Sequence, residues 1–214
     1  MRSERQPETE MDSNQTAALR TLTVAVTGAS GSIFPRILLD LLDQDERVGA
    51  VNLIVSDSGL RVMAEELEAS GRNELLARLL GRASRKIHQQ NNDDIGANVA
   101  SGSYPTDAMI VLPCSMGTLA RIANGIASQL IERAADVCLK ERRPLVLCVR
   151  ETPFNRIHLR NMIFAAEAGA TIFPIIPAFY FRPSSTEEIA REFVNRVLAH
   201  VGLPQADAYR WKAE

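Results

Sequence analysis

The feature that most constrains the fold of this chain is an alternation of short apolar strands with amphipathic helices. Five apolar runs of strand length are each followed by a segment with helical spacing, and these runs start at Leu22, Val51, Ala108, Leu145 and Thr171. Strands that alternate with helices pair in parallel, because each helix carries the chain back across the sheet. The sequence therefore predicts a three-layer α/β domain on a doubly wound, mainly parallel sheet.

Small, hydroxyl-bearing or charged residues stand at the carboxyl ends of four of these strands. The four groups are Gly28–Ser32, Ser56, Ser115–Thr118 and Arg150–Glu151. Ligands bind at the carboxyl edge of an open α/β sheet, and a glycine-rich turn that leads into a helix presents free N–H groups to anions. The pattern indicates a site for a nucleotide-like ligand. The first turn lacks the GxGxxG pattern, so a plain tight turn is the alternative there.

The stretch Glu132–His158 adds cations and a carboxylate to this prediction. Arg133 and Lys140 lie seven residues apart on a predicted helix, so both side chains project from nearly the same side. The strand that follows delivers Arg150 and Glu151 to the ligand edge. We expect these groups to form one site, with a phosphate beside an acid–base carboxylate. A solvated helix face and a structural ion pair are the alternatives.

Composition narrows the class of protein. A formal net charge of −2 over 214 residues provides no general attraction to nucleic acid or to a membrane. Cys114, Cys138 and Cys148 have no CxxC spacing and are interpreted as reduced core residues of a cytoplasmic protein. The three histidines are scattered, and no metal-ligand pattern is present.

The chain is predicted to hold one domain. Residues 1–20 are polar and of mixed charge, so we expect a disordered arm rather than a signal peptide or an anchor. Residues 21–214 form the domain. Residues 71–103 have a weak pattern and are interpreted as an excursion over the sheet. No apolar run reaches the length of a transmembrane helix.

Several motifs together resemble those of the UbiX-type flavin prenyltransferases. The matching segments are Thr27–Gly31, Pro113–Ser115, Glu132–Asp136, Leu139–Leu147, Arg150–Pro153 and Pro177–Tyr180. The resemblance implies a flavodoxin-like fold and transfer of a dimethylallyl group from dimethylallyl monophosphate to reduced FMN, without a metal. The product would be prenylated FMN, the cofactor of a UbiD-type decarboxylase. The resemblance also implies a dodecamer with active sites at subunit interfaces.

The same resemblance assigns roles to individual residues. FMN contacts fall on Gly28, Ala29, Ser30, Gly31, Ser56, Ser115, Met116, Gly117, Thr118 and Arg150. The resemblance assigns binding of the prenyl phosphate to Lys140, Tyr180 and Arg196, with Arg133 and Ser103 nearby. Catalytic roles fall on Glu151, Ser30 and Lys140, with Glu66 at an acidic position near the prenyl site.

These residue types suit the reaction. Breaking an allylic C–O bond leaves negative charge on the departing phosphate, which fixed cations and hydroxyls can stabilise. A carboxylate at Glu151 can accept the proton that the flavin loses on alkylation. The sequence departs from the family pattern at three places: Ile33–Pro35, Gly117 at a position often held by lysine, and Phe181 in place of a common histidine. These departures put the details of substrate binding in doubt more than the type of reaction.

Two other functions are weighed against this one. A decarboxylase of the phosphopantothenoylcysteine type is disfavoured, because Ile33–Leu42 contains no histidine and Pro113–Thr118 reads PCSMGT. An FMN carrier is disfavoured because it has no use for a clamp on a leaving phosphate. The sequence does not choose between ubiquinone synthesis and aromatic-acid breakdown as the pathway.

Overall fold

The sheet is doubly wound and parallel, as predicted. A computed structural model describes residues 18–68 and 74–211. Its strands are β1 (Arg20–Val26), β2 (Val48–Val55), β3 (Ile87–Gln90), β4 (Ala108–Cys114), β5 (Leu145–Val149) and β6 (Thr171–Ile172). They form one sheet in the order β3-β2-β1-β4-β5-β6, and all neighbours are parallel.

Helices cover both faces of this sheet. They are α1 (Ile33–Gln44), α2 (Asp57–Leu67), α3 (Leu75–Leu80), α4 (Met116–Ala123), α5 (Leu130–Lys140), α6 (Arg156–Glu167) and α7 (Thr186–His200), with a 3-10 turn at Asn98–Ala100. The expected N-terminal arm lies largely outside the described residues, and Arg20 already belongs to β1. Among the described residues, no helix combines the length and apolarity needed to cross a membrane.

Alternation along the strands divides the core into two layers. Leu22, Val24 and Val26 of β1 pack with α1, α3 and α7 on one face. Ala25 faces the opposite side, where α4, α5 and α6 pack. Both faces are therefore buried, which explains why the central strands are apolar throughout rather than alternating with polar residues.

The chain reverses direction across the sheet between β1 and β4. From β1 it runs outward through β2 and β3, then returns to β4 and continues to β6 on the other side. Helix α1 follows β1 on one face, whereas α4 follows β4 on the opposite face. The two connections diverge and leave a crevice at the carboxyl edge, the usual ligand position in such folds.

Two strand predictions need correction. The edge strand β3 was not predicted, because Ile87-His88-Gln89-Gln90 lacks an apolar run. The last strand was predicted to extend from Thr171 to Ile176 but ends at Ile172. Pro174 has no N–H to continue the ladder, although Phe173 N and Ile175 N still donate to β5 carbonyls at 2.9 and 3.0 Å.

Residues 91–107 cross the face of the sheet that also carries α5. Val99 is buried in the second core layer, and the Tyr104 hydroxyl accepts a hydrogen bond of 3.2 Å from Asn52 Nδ2 of β2. Arg143, after α5, donates to the Tyr104 carbonyl at 2.8 Å and to the Gly102 carbonyl at 2.6 Å. This segment packs over the sheet, but the excursion predicted for residues 71–103 is only partly correct, because Ile87–Gln90 within it form a strand of the sheet.

Candidate active site

Thr27 ties the carboxyl ends of the two central strands together. Its hydroxyl donates to the Pro113 carbonyl at 2.8 Å and accepts from Ser115 N at 2.8 Å. Thr27 N also donates to the Pro113 carbonyl at 3.2 Å. The glycine turn after β1 and the hydroxyl turn after β4 are therefore held side by side, across the point where the strand order reverses.

The neighbouring strands continue this edge on both sides. Ser56 N donates to Val26 O at 3.0 Å, which places the end of β2 beside β1. Arg150 N donates to Cys114 O at 3.2 Å, which places the end of β5 beside β4. All four predicted groups of polar residues therefore lie in a row along one edge of the sheet, as the parallel topology requires.

The turn after β1 binds a carboxylate of the same chain. Glu66 of α2 accepts hydrogen bonds from Gly31 N at 3.0 Å and from Ser32 N at 2.7 Å. Gly31 has φ +119°, a conformation that residues with a Cβ rarely adopt. Burial alone would raise the pKa of Glu66, but hydrogen bonds from Ser30, Ser32 and Gly31 outweigh it, so the net pKa is lowered. The turn therefore presents donors that stabilise an anion.

Hydroxyl groups at two strand ends also cap helices. Ser56 Oγ accepts from Gly59 N at 3.0 Å at the start of α2. Ser115 Oγ accepts from Thr118 N at 3.3 Å at the start of α4 and donates to Thr118 Oγ1 at 3.1 Å. Met116 and Gly117 form the first turn of α4. Because α4 begins here rather than at Leu119 as predicted, its positive N-terminal end faces the crevice.

Arg150 and Glu151 lie on the rim of a cavity of about 320 Å³, which is also lined by Phe154, Pro174 and Ile176. Both charged residues are exposed. Glu151 Oε1 accepts from Thr152 N at 2.9 Å. No ion pair joins Arg150 to Glu151 in the described part of the chain. The alternative of a structural ion pair is thus wrong, and both groups face open space.

Lys140, the second of the two helix cations, does not join this edge within one chain. Lys140 ends α5 and precedes β5, whereas Glu151 follows β5, so the two residues lie at opposite ends of a five-residue strand, about 16 Å long. The expectation that the helix cations and Arg150–Glu151 form one site is therefore wrong for a single copy. A helix that connects parallel strands runs antiparallel to them, so its last residue lies at the amino edge of the sheet.

Arg133, Lys140 and Ser103 instead gather around the turn at residues 100–103. Arg133 Nε donates to the Ala100 carbonyl at 3.1 Å, and its Nη1 contacts Asp136 at 2.7 Å. Lys140 Nζ pairs with Glu141. A Cβ atom at Gly102 would lie 2.6 Å from Lys140 Nζ, which places the amine against the turn that carries Ser103.

The remaining predicted phosphate ligands lie near the C-terminal tail and α7. The Tyr180 ring lies 5.8 Å from the Tyr209 ring and 5.2 Å from the Trp211 ring, and Tyr180 is 57% exposed. Its place between two phenylalanines would also suit a core residue, and this exposure excludes that interpretation. Arg196 is exposed, and its guanidinium carbon lies 5.9 Å from the centre of the Phe173 ring.

The described residues offer neither a reactive thiolate nor a metal-ligand cluster at this edge. Burial raises the pKa of the Cys114 thiol to about 12 and that of Cys138 to about 11, so neither is a thiolate near neutral pH. Over residues 18–68 and 74–211, no group of three or more histidine, cysteine or acidic side chains is arranged to hold a metal ion.

Sequence reasoning missed three residues that organise the site. Thr27 was included only as part of a motif, although a hydroxyl between a strand and a glycine turn is a signal for such a link. Arg121 Nε contacts Glu132 Oε1 at 2.6 Å, and Glu132 is almost fully buried. No sequence signal predicted this pair, because the two residues lie on different helices.

Comparison with known proteins identifies the family. A sequence model for the family described as Flavoprotein matches residues 10–195. Flavin prenyltransferase UbiX of Pseudomonas aeruginosa is 43% identical over 196 residues, which cover 89% of this chain and 93% of the relative. The chain belongs to the UbiX family of flavin prenyltransferases. This confirms the family that the motifs indicated.

Solved structures of UbiX proteins share the fold. AnUbiX, crystallised with FMN and dimethylallyl pyrophosphate, superposes with a TM-score of 0.82 at 40% identity, covering 92% of this chain and 99% of AnUbiX. A second structure is a dodecameric protein from Escherichia coli O157:H7, described as an FMN-dependent UbiX-like decarboxylase. It superposes with a TM-score of 0.81 at 40% identity, and the match covers 90% of this chain and 100% of the Escherichia coli chain.

Proposed function

We propose that this chain is a flavin prenyltransferase that joins the dimethylallyl group of dimethylallyl monophosphate to reduced FMN. The observation that carries this proposal is the row of four polar strand ends along one edge of the sheet in a UbiX-family chain. The FMN and dimethylallyl pyrophosphate bound by AnUbiX support both ligand classes. A monophosphate donor is the form proposed for this chain.

The carboxyl edge suits FMN. Donors in the Gly31–Ser32 turn already hold a carboxylate, and the hydroxyls of Ser56 and Ser115 stand beside it. We assign FMN binding to Gly28, Ala29, Ser30, Gly31, Ser56, Ser115, Met116, Gly117, Thr118 and Arg150. Reduced FMN supplies the electron-rich ring that accepts the prenyl group.

Cationic side chains would stabilise the negative charge of the departing phosphate. Lys140, Arg133 and Arg196 carry fixed positive charge, and Tyr180 and Ser103 carry hydroxyl donors. Each well-placed donor can lower the barrier by about 2–4 kcal/mol, by analogy with oxyanion-hole groups. These groups would stabilise the leaving phosphate without a metal ion.

Glu151 suits the role of proton acceptor. Its carboxylate is exposed at the carboxyl edge and is not neutralised by Arg150, and within the described residues its one hydrogen bond comes from the N–H of Thr152. An unpaired carboxylate can take up the proton released when the flavin ring is alkylated. Ser30, which hydrogen-bonds Glu66, would assist proton transfer at the same edge.

A complete site would use more than one copy of the chain. Lys140 and Glu151 lie at opposite ends of β5, so a second copy must bring its Lys140 cluster to the carboxyl edge. Helix α6 offers an apolar surface for such contacts, with Ile157, Ile163 and Phe164 exposed by 67%, 56% and 42%. The dodecamer of the Escherichia coli relative supports the same assembly here.

The product would serve another enzyme. A prenylated flavin has no further use at the site that makes it, and a UbiD-type decarboxylase is the proposed recipient. We also propose a cytoplasmic location, because the three cysteines are buried and reduced in the structure.

A decarboxylase is the second candidate, since the Escherichia coli relative carries that description. Incubation of the protein with dimethylallyl monophosphate and reduced FMN separates the possibilities. We expect release of inorganic phosphate with reduced FMN and none with oxidised FMN. A decarboxylase or an FMN carrier would release no phosphate under either condition, and that result would overturn the proposal.

A further inference from the structure

A buried ion pair lies behind the hydroxyl turn that follows β4. The Glu132 side chain is 2% exposed, and its Oε1 accepts from Arg121 Nε at 2.6 Å. Its Oε2 has no hydrogen-bond partner in the described part of the chain. Arg121 is therefore the group that compensates this buried carboxylate. Leaving the buried carboxylate without its partner would be costly, so the pair keeps the half-exposed guanidinium in one position.

The pair holds the guanidinium over the first turn of α4. Arg121 Nη2 donates to Thr118 Oγ1 at 3.5 Å, and Thr118 Oγ1 also accepts from Ser115 Oγ at 3.1 Å. A Cβ atom at Gly117 would lie 3.7 Å from Arg121 Nη1. The guanidinium thus borders the open space above Gly117, on the turn that Ser115 caps.

One nitrogen of this guanidinium, Nη1, is uncommitted. Nε is used by Glu132 and Nη2 by Thr118, whereas Nη1 makes no hydrogen bond to any described residue. The Arg121 side chain is 40% exposed, and Nη1 is the guanidinium atom that lies next to Gly117 of the turn. An arginine fixed at one end with a free donor at the other is prepared to meet an anion.

We propose that Arg121, positioned by Glu132, is an additional flavin-binding residue whose charge favours the reduced, anionic flavin over the oxidised one. This inference rests on the proposed function, which gives the turn Ser115–Thr118 to FMN. Reduced flavin that has lost its N1 proton carries negative charge on the ring, whereas oxidised flavin is neutral there. A fixed cation beside the ring therefore strengthens binding of the form that the reaction uses.

The test compares the redox states of bound FMN. Arg121→Gln removes the charge, Arg121→Lys retains it, and Arg82→Gln is the matched control, because Arg82 pairs with Asp40 and Asp43 away from the carboxyl edge. Affinities for oxidised and reduced FMN are measured under anaerobic conditions, together with the midpoint potential of the bound flavin.

Arg121→Gln is expected to weaken the binding of reduced FMN about tenfold more than the binding of oxidised FMN. For a two-electron couple, this difference lowers the midpoint potential of the bound flavin by about 30 mV. Arg121→Lys is expected to recover most of that shift, and Arg82→Gln to show none. If the affinities for oxidised and reduced FMN fall equally, or if neither changes, Arg121 has only a structural role. That result would overturn this inference but not the proposed function.

Glu132→Gln provides a second test, because it keeps the shape of the side chain but removes the charge that holds the guanidinium in place. Part of the potential shift is expected even though Arg121 keeps its charge; a potential equal to that of the native protein would contradict the positioning role. If Glu132→Gln does not fold, the Arg121 variants decide the question. A native protein that binds no FMN would overturn the proposed function, and this inference with it.

Discussion

Glu151 is the residue whose chemistry the account depends on most. It is exposed at the carboxyl edge and is not neutralised by Arg150, so it can accept a proton without first breaking an ion pair. Glu151→Gln keeps the shape and the hydrogen-bonding capacity but cannot accept that proton. We expect FMN binding near that of the native protein and turnover slower by about 10²-fold or more.

A flavin titration followed by initial rates of prenylation checks this expectation. Glu46→Gln is the matched control, because Glu46 is exposed in the turn between α1 and β2, at the amino edge of the sheet. Its binding and turnover should both equal those of the native protein. Native turnover in Glu151→Gln would remove this residue from the mechanism.

At the scale of elements, helix caps and ligand contacts coincide. Ser115 caps α4 at the proposed flavin edge, and Ser185 caps α7 by accepting from Glu188 N at 3.1 Å. Replacing either with alanine should lower the free energy of unfolding by about 1 kcal/mol, the usual effect of a lost N-cap. Only Ser115→Ala should also weaken FMN binding.

Urea unfolding and FMN titration of the two variants separate these effects. Ser185→Ala accounts for the part of the loss that comes from helix capping. An FMN affinity that falls equally in both variants would show that the loss is a general effect of stability, and would contradict a direct role of Ser115.

The sequence predicted elements well where apolar periodicity or capping residues mark them. The pair Ser184 and Ser185 before the last helix predicts an N-cap there, and the structure assigns that cap to Ser185. The edge strand β3 was missed because two glutamines and a histidine fill most of it. Helix α4 begins three residues earlier than predicted, since Met116-Gly117-Thr118 lacks helical periodicity but follows a serine cap.

The site was predictable for the same kind of reason. Residues at the carboxyl ends of parallel strands share one edge, so the four polar groups could be placed together from the strand assignment alone. Residue type placed Lys140 beside Glu151, but topology separates them, because α5 runs antiparallel to β5. Contacts between distant helices, such as Arg121 with Glu132, have no local signature in the sequence.

For the whole molecule, the proposed function requires that each active site be formed by residues from two copies of the chain. Lys140→Ala and Glu151→Gln should each be nearly inactive, since each damages one half of every site. When the two variants assemble together, some sites receive a native Lys140 from one copy and a native Glu151 from another. In an equal random mixture about a quarter of the sites would be complete in a closed symmetric assembly.

The fraction of complete sites is measured from the rate of prenylation after the two variants have been co-expressed. Recovery of activity towards that fraction would support sites built between copies. No recovery, in assemblies shown by mass to contain both variants, would mean that each site belongs to a single chain and that the proposed arrangement is wrong.

The mass of the flavin after reaction decides whether this chain prenylates FMN. The protein is incubated without oxygen and without added metal, with reduced FMN and dimethylallyl monophosphate, and the flavin is extracted for mass spectrometry. The account predicts a flavin heavier by one prenyl unit. Recovery of unmodified FMN from protein that has bound it tightly would contradict the account and indicate a carrier or an enzyme with a different reaction.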